Sequence, residues 1–493
     1  MLRRFEKAGA RRVRCARTPR TGRRVDRGTG GRVSRGRVGP RTFTVVAILS
    51  ILLAGVFGIG AGGAAAAVLD GAGATDGTAA KPIRPVRAEP ADAAGAQTFR
   101  SCSIAAAASQ PGALDFHGLV VDSESGEVLF DRQADVANPT ASTMKLLTSA
   151  AALTTLGPDT RLTTRIVQGA EPGEIVVVPG GDFTLSSLPA GSPTYYDGAT
   201  AHVADLAAQA KQALGGGTIT RVVVDTSLYS GPEWQPSWND ADRTDGYISW
   251  ISPFTIDGDR ATPQSLVSPR SQQPSERAAS ALATALGVPV SAVTIGGTAP
   301  EGAAVLAEVQ SQPVSELIRY ALTDSDNTTA ENLARLVAIE RGAGGAFESI
   351  QAGTTQALGE LGLDTTGLVL ADGSGLSRDN RVPSSFMVAL LELVRADVDG
   401  LAIMLPYLPA SGETGTLDDR FLPGTTVVPP GAIDAKTGWI EEVYGLAGYM
   451  TLESGRTLTF AFYVVGPVSL ANRDVLDSIA SQAYGCGEEL ADW

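Results

Sequence analysis

Residues 139–146 read PTASTMKL, a run in which Ser142 precedes Lys145 by three positions. The apolar stretch that follows predicts a helix from Ser142 to Leu153, and positions i and i+3 of a helix share one face. The amine of Lys145 can therefore reach the hydroxyl of Ser142. Burial and the positive end of the helix both favour a neutral amine, which can accept the hydroxyl proton. The pattern predicts a Ser–Lys nucleophile; a surface lysine on a helix is the alternative for this motif alone.

The scarcity of lysine supports a special role for Lys145. The chain has only five lysines against 34 arginines. Arginine does not release its proton in a protein, whereas a buried lysine can. A sequence that uses arginine for most cations therefore indicates that its retained lysines do something that arginine cannot do.

A second motif, SDN, occupies residues 325–327. It lies in a predicted break between a helix at residues 314–322 and a helix that starts behind a capping box formed by Thr328 and Glu331. The hydroxyl of Ser325 and the amide of Asn327 can face a cleft from such a loop. Simple helix capping by these side chains is the alternative.

A third motif, KTG, occupies residues 436–438 and precedes two predicted strands at residues 445–453 and 457–465. Gly438 would let a substrate backbone lie along a strand edge. Lys436 and Thr437 offer a cation and a hydroxyl to a carboxylate. An ordinary surface turn is the alternative for KTG considered alone.

The three motifs together, in the order S-x-x-K, S-D-N, K-T-G, resemble the signature of penicillin-binding proteins and class A β-lactamases. More closely, residues 101–490 resemble the low-molecular-mass D-alanyl-D-alanine carboxypeptidases and endopeptidases of this group. These carry a large insertion between the first two motifs, and here 183 residues separate Ser142 from Ser325. The resemblance also covers residues 180–182 (GGD), 372–378 (DGSGLSR) and 414–417 (TGTL).

The resemblance implies a role for each motif residue. Ser142 would be the nucleophile and Lys145 its base, while Ser325 and Asn327 would assist proton transfer and hold the substrate amide. The remaining substrate-binding residues would be Lys436, Thr437, Gly438 and Trp439. Lys436 and Thr437 would bind the terminal carboxylate, and the backbone N–H groups of Ser142 and Trp439 would form the oxyanion hole. The family usually has Thr or Ser where this chain has Trp439, so one hydroxyl for the carboxylate is missing.

The implied function is serine-type hydrolysis of peptidoglycan stem peptides through an acyl-enzyme, with β-lactams as inhibitors. Two alternatives remain at the level of sequence. A catalytically weak member would bind wall peptides or β-lactams without turnover, and Trp439 motivates this hypothesis. A β-lactamase is the other alternative, against which the long insertion counts.

The N-terminal region predicts export. Residues 1–41 hold 15 Lys/Arg and two acidic residues, for a charge of +13, and the rest of the chain carries −27. An uncharged apolar run at residues 43–69 is long enough to span a bilayer. We expect a cytoplasmic tail (1–42), a membrane anchor (43–69) and an extracytoplasmic catalytic region. A signal peptide cleaved near residues 64–66 is the alternative. Nucleic-acid binding by the basic tail is not expected.

Beyond the anchor, a linker is predicted at residues 70–100. Strands near both ends, with helices between them, predict an α+β domain whose sheet gathers the two chain ends. The resemblance implies a penicillin-binding, β-lactamase-like transpeptidase domain at residues 101–159 and 311–493, with one or more accessory domains inserted at 160–310. Outside the cytoplasm, Cys102 and Cys486 are expected to form a disulfide; two unrelated buried thiols are the alternative.

The sequence lacks the residues that other kinds of catalytic site would need. The two histidines, His117 and His202, do not complete a Ser-His-Asp triad with a recognisable nucleophile turn. Too few His and Cys residues are present to suggest a zinc site, and no phosphate-binding G-x-x-x-x-G-K-[ST] loop occurs. No metal or other cofactor is therefore expected.

Overall fold

The computed structural model describes residues 100–198, 200–424 and 426–491. The predicted cytoplasmic tail, the apolar run and residues 70–99 of the linker lie outside the described residues, so their predictions stand untested. Within the described ranges, no helix combines the length and apolar character needed to cross a membrane.

The described chain contains ten α-helices and twelve strands. The helices are α1 (Ala105–Ala108), α2 (Met144–Leu156), α3 (Val203–Ala213), α4 (Asp240–Asp245), α5 (Pro274–Leu286), α6 (Val314–Thr323), α7 (Asn327–Glu340), α8 (Phe347–Glu360), α9 (Ser384–Arg395) and α10 (Leu470–Cys486). The strands are β1 (Asp115–Asp122), β2 (Val128–Arg132), β3 (Ala137–Asn138), β4 (Arg161–Gln168), β5 (Glu174–Val178), β6 (Arg221–Val224), β7 (Val293–Ile295), β8 (Val305–Pro313), β9 (Val382–Pro383), β10 (Ile433–Ile440), β11 (Val443–Thr451) and β12 (Thr457–Val465). Short 3-10 helices include Ala141–Thr143 and Gly415–Leu417.

The main sheet is antiparallel and has the strand order β10-β11-β12-β1-β2. Its centre joins the two ends of the described chain, because β1 pairs with β12 from Asp115 opposite Val465 to Asp122 opposite Leu458. One face packs against α10, and the other packs against α9 and the helical layer. The predicted α+β class is confirmed. The order also leaves β10 as an edge strand.

Helix α2 is the centre of the helical layer. All ten residues from Met144 to Leu153 are buried, and α6, α7 and α8 pack around it. A helix that is apolar on every side has to be surrounded in this way. The residues that precede it, including Ser142, are thereby held at a fixed place between the helices and the sheet.

A second five-stranded sheet, with the order β7-β6-β5-β4-β8, lies within residues 161–313. Strands β5, β6 and β7 run parallel, whereas β4 pairs antiparallel with both β5 and β8. Helices α3 and α5 cover this sheet and share a separate apolar core with it. The sheet falls almost entirely in the stretch that the sequence assigns to an insertion; the division into domains stays a prediction.

One local expectation was wrong, and one strand was not predicted. Thr328 and Glu331 do not form a capping box, because α7 begins two residues earlier than predicted and Asp326 caps it by accepting the N–H of Thr329 at 2.7 Å. The KTG motif precedes β11 and β12 as expected, but residues 436–438 also lie inside a strand that was not predicted, β10. Thr437, Gly438 and Trp439 of this strand line a cleft.

Cys102 and Cys486 form a disulfide, with their Cα atoms 5.4 Å apart and 384 residues between them in sequence. The Cys102 segment also bridges to Leu490. The bond closes a very long loop, which in the chain-entropy model contributes about 4 kcal/mol or more to stability. It fixes the start of the described chain against the end of α10.

Candidate active site

The amine of Lys145 is the centre of the site. It lies 2.8 Å from the hydroxyl oxygen of Ser142, 2.6 Å from the side-chain oxygen of Asn327 and 2.8 Å from the carbonyl oxygen of Ser374. Lys145 is fully buried. Burial lowers its pKa to about 7, although the nearby carboxyls of Asp372 and others oppose this change. Near neutral pH the amine is therefore available in its uncharged, proton-accepting form.

Ser142 is held in the 3-10 turn directly before α2, at the positive end of that helix. Two glycines let other segments approach this turn. A Cβ at Gly438 would lie 2.9 Å from the carbonyl oxygen of Thr140 and 3.2 Å from the nitrogen of Ser142. A Cβ at Gly375 would lie 1.8 Å from the carbonyl oxygen of Ala141. Glycine is thus required at both positions, where β10 and the loop at residues 372–375 (the DGSG loop) contact the turn.

The SDN loop brings two side chains to opposite sides of the site. Ser325 has a φ of +61°, in the left-handed region, which turns the chain between α6 and α7. Its hydroxyl accepts a hydrogen bond from the Lys436 amine at 3.0 Å. Asn327 accepts from Lys145 and donates to the carbonyl of Tyr247 at 3.0 Å. The loop therefore links the two lysines of the motifs.

Lys436 is also fully buried. Its amine donates to the Ser325 hydroxyl and to the carbonyl oxygen of Thr437, the latter at 2.9 Å. Burial and then the charge of Lys145 hold the pKa of Lys436 well below its usual value. The hydroxyl of Thr437 donates to the hydroxyl of Thr416 at 2.7 Å.

A cleft of about 590 Å³ runs along β10. Six of the eight predicted catalytic and substrate-binding residues line it: Ser142, Ser325, Asn327, Thr437, Gly438 and Trp439. Lys145 and Lys436 lie behind them as partners of Ser142 and Ser325. Trp439 is 42% exposed and its ring lies near that of Tyr444. The structure thus brings all eight predicted residues together, although the three motifs are far apart in the sequence.

The cleft is lined by acidic side chains in one part and also contains an arginine. Asp242, Asp245 and Glu441 line one part of it. Burial and the charges of Asp245 and Glu441 raise the pKa of Asp242 to about 6. Arg420 lines the cleft as well, and its charge is one of those that lower the pKa of Lys436.

Glu331 is a buried residue whose role the sequence interpretation missed. Its carboxyl group accepts the N–H groups of Gly373 and Ser374, at 3.1 and 2.7 Å. These bonds hold the two peptide groups that directly precede the Ser374 carbonyl, which accepts from Lys145. Burial and the neighbouring charge of Asp372 raise the pKa of Glu331 to about 8. The signal for this role was a glutamate inside a helix that packs into the core. It was overlooked because Thr328 and Glu331 match the pattern of a capping box.

Arg260 is the second residue that the sequence interpretation missed. Its guanidinium is fully buried, forms an ion pair with Asp326 and stacks 3.8 Å from the centre of the Tyr195 ring. Because Asp326 stands between Ser325 and Asn327, this pair positions both motif side chains. An arginine more than sixty residues away offers no sequence pattern that would identify this contact.

A five-stranded antiparallel sheet flanked by helices, with a Ser–Lys pair in a cleft along its edge strand, defines the class of penicillin-binding serine enzymes. The family model for the D-Ala-D-Ala carboxypeptidase 3 (S13) family matches residues 101–267 and 259–483. The chain belongs to this family.

Relatives and solved structures agree with this membership. The chain is 39% identical over 391 residues to Carboxypeptidase DacB of Mycolicibacterium smegmatis, covering 78% of this chain and 84% of that protein. It is 28% identical to a D-alanyl-D-alanine carboxypeptidase of Actinomadura, over 73% of this chain and 79% of the relative. The crystal structure of penicillin binding protein 4 from Haemophilus influenzae matches with a TM-score of 0.66 at 21% identity, over 80% of this chain and all of that chain. At that identity the match establishes the fold.

Arg260→Met is expected to lower the free energy of unfolding by about 3–5 kcal/mol, because it leaves Asp326 buried without its partner. Urea unfolding measures this change. The matched control is Arg165→Met, since Arg165 pairs with Glu308 at the surface and an exposed pair contributes less than about 1 kcal/mol.

The double variant Arg260→Met/Asp326→Asn is expected to recover part of the loss. It removes the unpaired charge, and asparagine can still cap α7. Equal effects of Arg260→Met and Arg165→Met would contradict the structural role of the buried pair.

Proposed function

We propose that this chain is a serine-type D-alanyl-D-alanine carboxypeptidase that acts on peptidoglycan stem peptides through an acyl-enzyme at Ser142. The observation that carries the proposal is the 2.8 Å contact between the Ser142 hydroxyl and the buried amine of Lys145. A serine is a weak nucleophile unless a base removes its proton. Lys145 supplies that base without a histidine.

In the first step, the oxygen of Ser142 forms a bond to the carbonyl carbon of the penultimate D-alanine. Its proton passes to Lys145. The C–N bond then breaks, and the leaving D-alanine takes a proton as its amine departs. Water hydrolyses the resulting ester and regenerates the Ser142 hydroxyl. Asn327 holds Lys145 in place, and Ser325 provides a second hydroxyl for proton transfer to the leaving amine.

Two backbone N–H groups, those of Ser142 and Trp439, are proposed to hold the oxyanion. The close approach of Gly438 to the Ser142 nitrogen supports this arrangement. One such donor is typically worth about 3–4 kcal/mol of transition-state stabilisation. The substrate backbone would lie along β10 near Thr437–Trp439, since residues 409–411 already pair with the edge at residues 433–435.

The terminal carboxylate is proposed to bind beside Lys436 and Thr437. A carboxylate there lies next to the amine of Lys436, which donates to Ser325, and in the same cleft as the guanidinium of Arg420. The relatives from Mycolicibacterium and Actinomadura are carboxypeptidases by name, and a structure of the Haemophilus protein is a complex with a β-lactam. These names support a D-alanyl-D-alanine substrate and β-lactam inhibition for this chain.

We also propose that residues 43–69 anchor the protein in the membrane, with the catalytic region outside the cytoplasm. The charge difference across this apolar run supports that orientation. A disulfide between Cys102 and Cys486 is consistent with an oxidising compartment.

The proposed activity is tested with a pentapeptide that ends in D-alanyl-D-alanine. The wild-type protein is expected to release D-alanine, and Ser142→Ala to reduce the rate by at least about a thousandfold because the nucleophile is lost. Ser149→Ala is the matched control: Ser149 is buried in α2, the helix that follows Ser142, and makes no side-chain hydrogen bond among the described residues. Tight peptide binding without release would instead support the weak binding protein.

The rate at which penicillin acylates Ser142 is expected to rise with pH. Lys145 has to be neutral to accept the proton, and a lysine with a pKa of about 7 is about 9% neutral at pH 6 and about 91% neutral at pH 8. Stopped-flow measurement of acylation should therefore show an increase of about tenfold between these values and a plateau above pH 8. A rate that still rises tenfold per unit above pH 8 would indicate a lysine of ordinary pKa.

The membrane proposal predicts that the full chain, expressed in a bacterial host, stays with membranes after a carbonate wash and needs detergent for release. A chain that begins at residue 70, exported by a cleavable signal, is the control and should be soluble. N-terminal sequencing distinguishes the alternatives, because a mature protein that starts near residue 67 would show cleavage and overturn the anchor.

A further inference from the structure

The corner of the cleft proposed for the substrate carboxylate contains a hydroxyl that belongs to none of the three motifs. Thr416 lines the cleft, and its oxygen lies 2.7 Å from the Thr437 hydroxyl. Trp439, two residues after Thr437 in β10, also lines the cleft but carries no side-chain oxygen. Thr416 therefore occupies the place where an additional donor to a carboxylate is useful.

The backbone holds Thr416 in this position. Thr416 lies in the 3-10 turn Gly415–Leu417, where Gly415 has a φ of +57°. A Cβ on Gly415 would lie 2.6 Å from the carbonyl oxygen of Thr323, so the turn packs directly against the end of α6. Leu417 is fully buried and anchors the other end of the turn. Thr416 is thus fixed between β10 and the loop that carries Ser325.

One hydroxyl hydrogen of the Thr416–Thr437 pair remains available to a ligand. Thr416 and Thr437 together have two hydroxyl hydrogens, and the bond between their oxygens uses one, which Thr437 donates. The other, on Thr416, can point into the cleft. The Lys436 amine already donates to Ser325 and to the Thr437 carbonyl.

The charge of this corner also suits an anion. Arg420 lines the same cleft and is held by Asp477, which accepts from its Nε at 3.1 Å and from one terminal nitrogen. The Arg420 side chain is only 4% exposed, so its position is fixed by packing as well as by the ion pair. A hydroxyl donor in a cleft that also contains a fixed guanidinium is a suitable partner for a carboxylate.

We propose that Thr416 is a specificity-determining residue whose hydroxyl donates a hydrogen bond to the free carboxylate of the substrate. This inference rests on the proposed function, because it concerns the same cleft. Thr416 takes the role that a hydroxyl at position 439 would otherwise fill. Ligands without a free carboxylate gain nothing from Thr416.

Acylation of the full chain by penicillin and by its methyl ester tests this role. The wild-type protein is expected to prefer the free acid, and Thr416→Val to lose about tenfold or more of its acylation rate with the acid while changing less than about twofold with the ester. Thr416→Ser keeps the hydroxyl and should retain the preference. The variants should unfold at the same urea concentration as the wild-type protein.

A rescue variant adds an independent test. Thr416→Val/Trp439→Thr places a hydroxyl on β10 itself and is expected to restore at least part of the preference for the acid. Equal losses with acid and ester, or no loss in Thr416→Val, would overturn the role of Thr416. The proposed function is judged separately, because it fails if the wild-type protein does not release D-alanine from the pentapeptide, whatever the effect of Thr416→Val on acylation.

Discussion

The fold of this protein depends on satisfying one buried amine. Lys145 has no contact with solvent, and an unpaired ammonium in a protein interior is very unfavourable. Two of its three acceptors come from distant parts of the chain, since Asn327 lies 182 residues away and Ser374 lies 229 residues away, whereas Ser142 lies only three residues away. The helical layer and the DGSG loop must therefore assemble around Lys145 before the site exists.

Two of the acceptors of Lys145 are supported by buried residues outside the motifs. Glu331 holds the peptide groups that directly precede the Ser374 carbonyl. Arg260 holds Asp326 and, through it, the loop that carries Asn327. Arg260 comes from the stretch assigned to an insertion, so that stretch contributes to the active site as well as to its own sheet. Rigid support of this kind keeps the reacting groups at hydrogen-bonding distance.

Sequence reasoning predicted the features that have a short-range signature. The spacing of Ser142 and Lys145 predicted their contact, and the strand predicted at residues 457–465 is β12. It missed what depends on packing between distant segments. The contact of Arg260 with Asp326 has no periodicity, and Glu331 satisfied a local capping pattern although its carboxyl group faces a different loop. Likewise, the strand around Lys436 could not be predicted, because its glycine is required by the nearby Ser142 turn.

The two buried lysines are coupled, and this coupling connects carboxylate binding to the nucleophile. The charge of Lys145 lowers the pKa of Lys436, and like charges act on each other equally. On the proposed function, a carboxylate bound beside Lys436 favours the protonated form of that lysine. A charged Lys436 in turn favours neutral Lys145, which is the form that accepts the Ser142 proton. Carboxylate binding and activation of the nucleophile therefore involve a pair of buried amines that the SDN loop connects, Lys436 through Ser325 and Lys145 through Asn327.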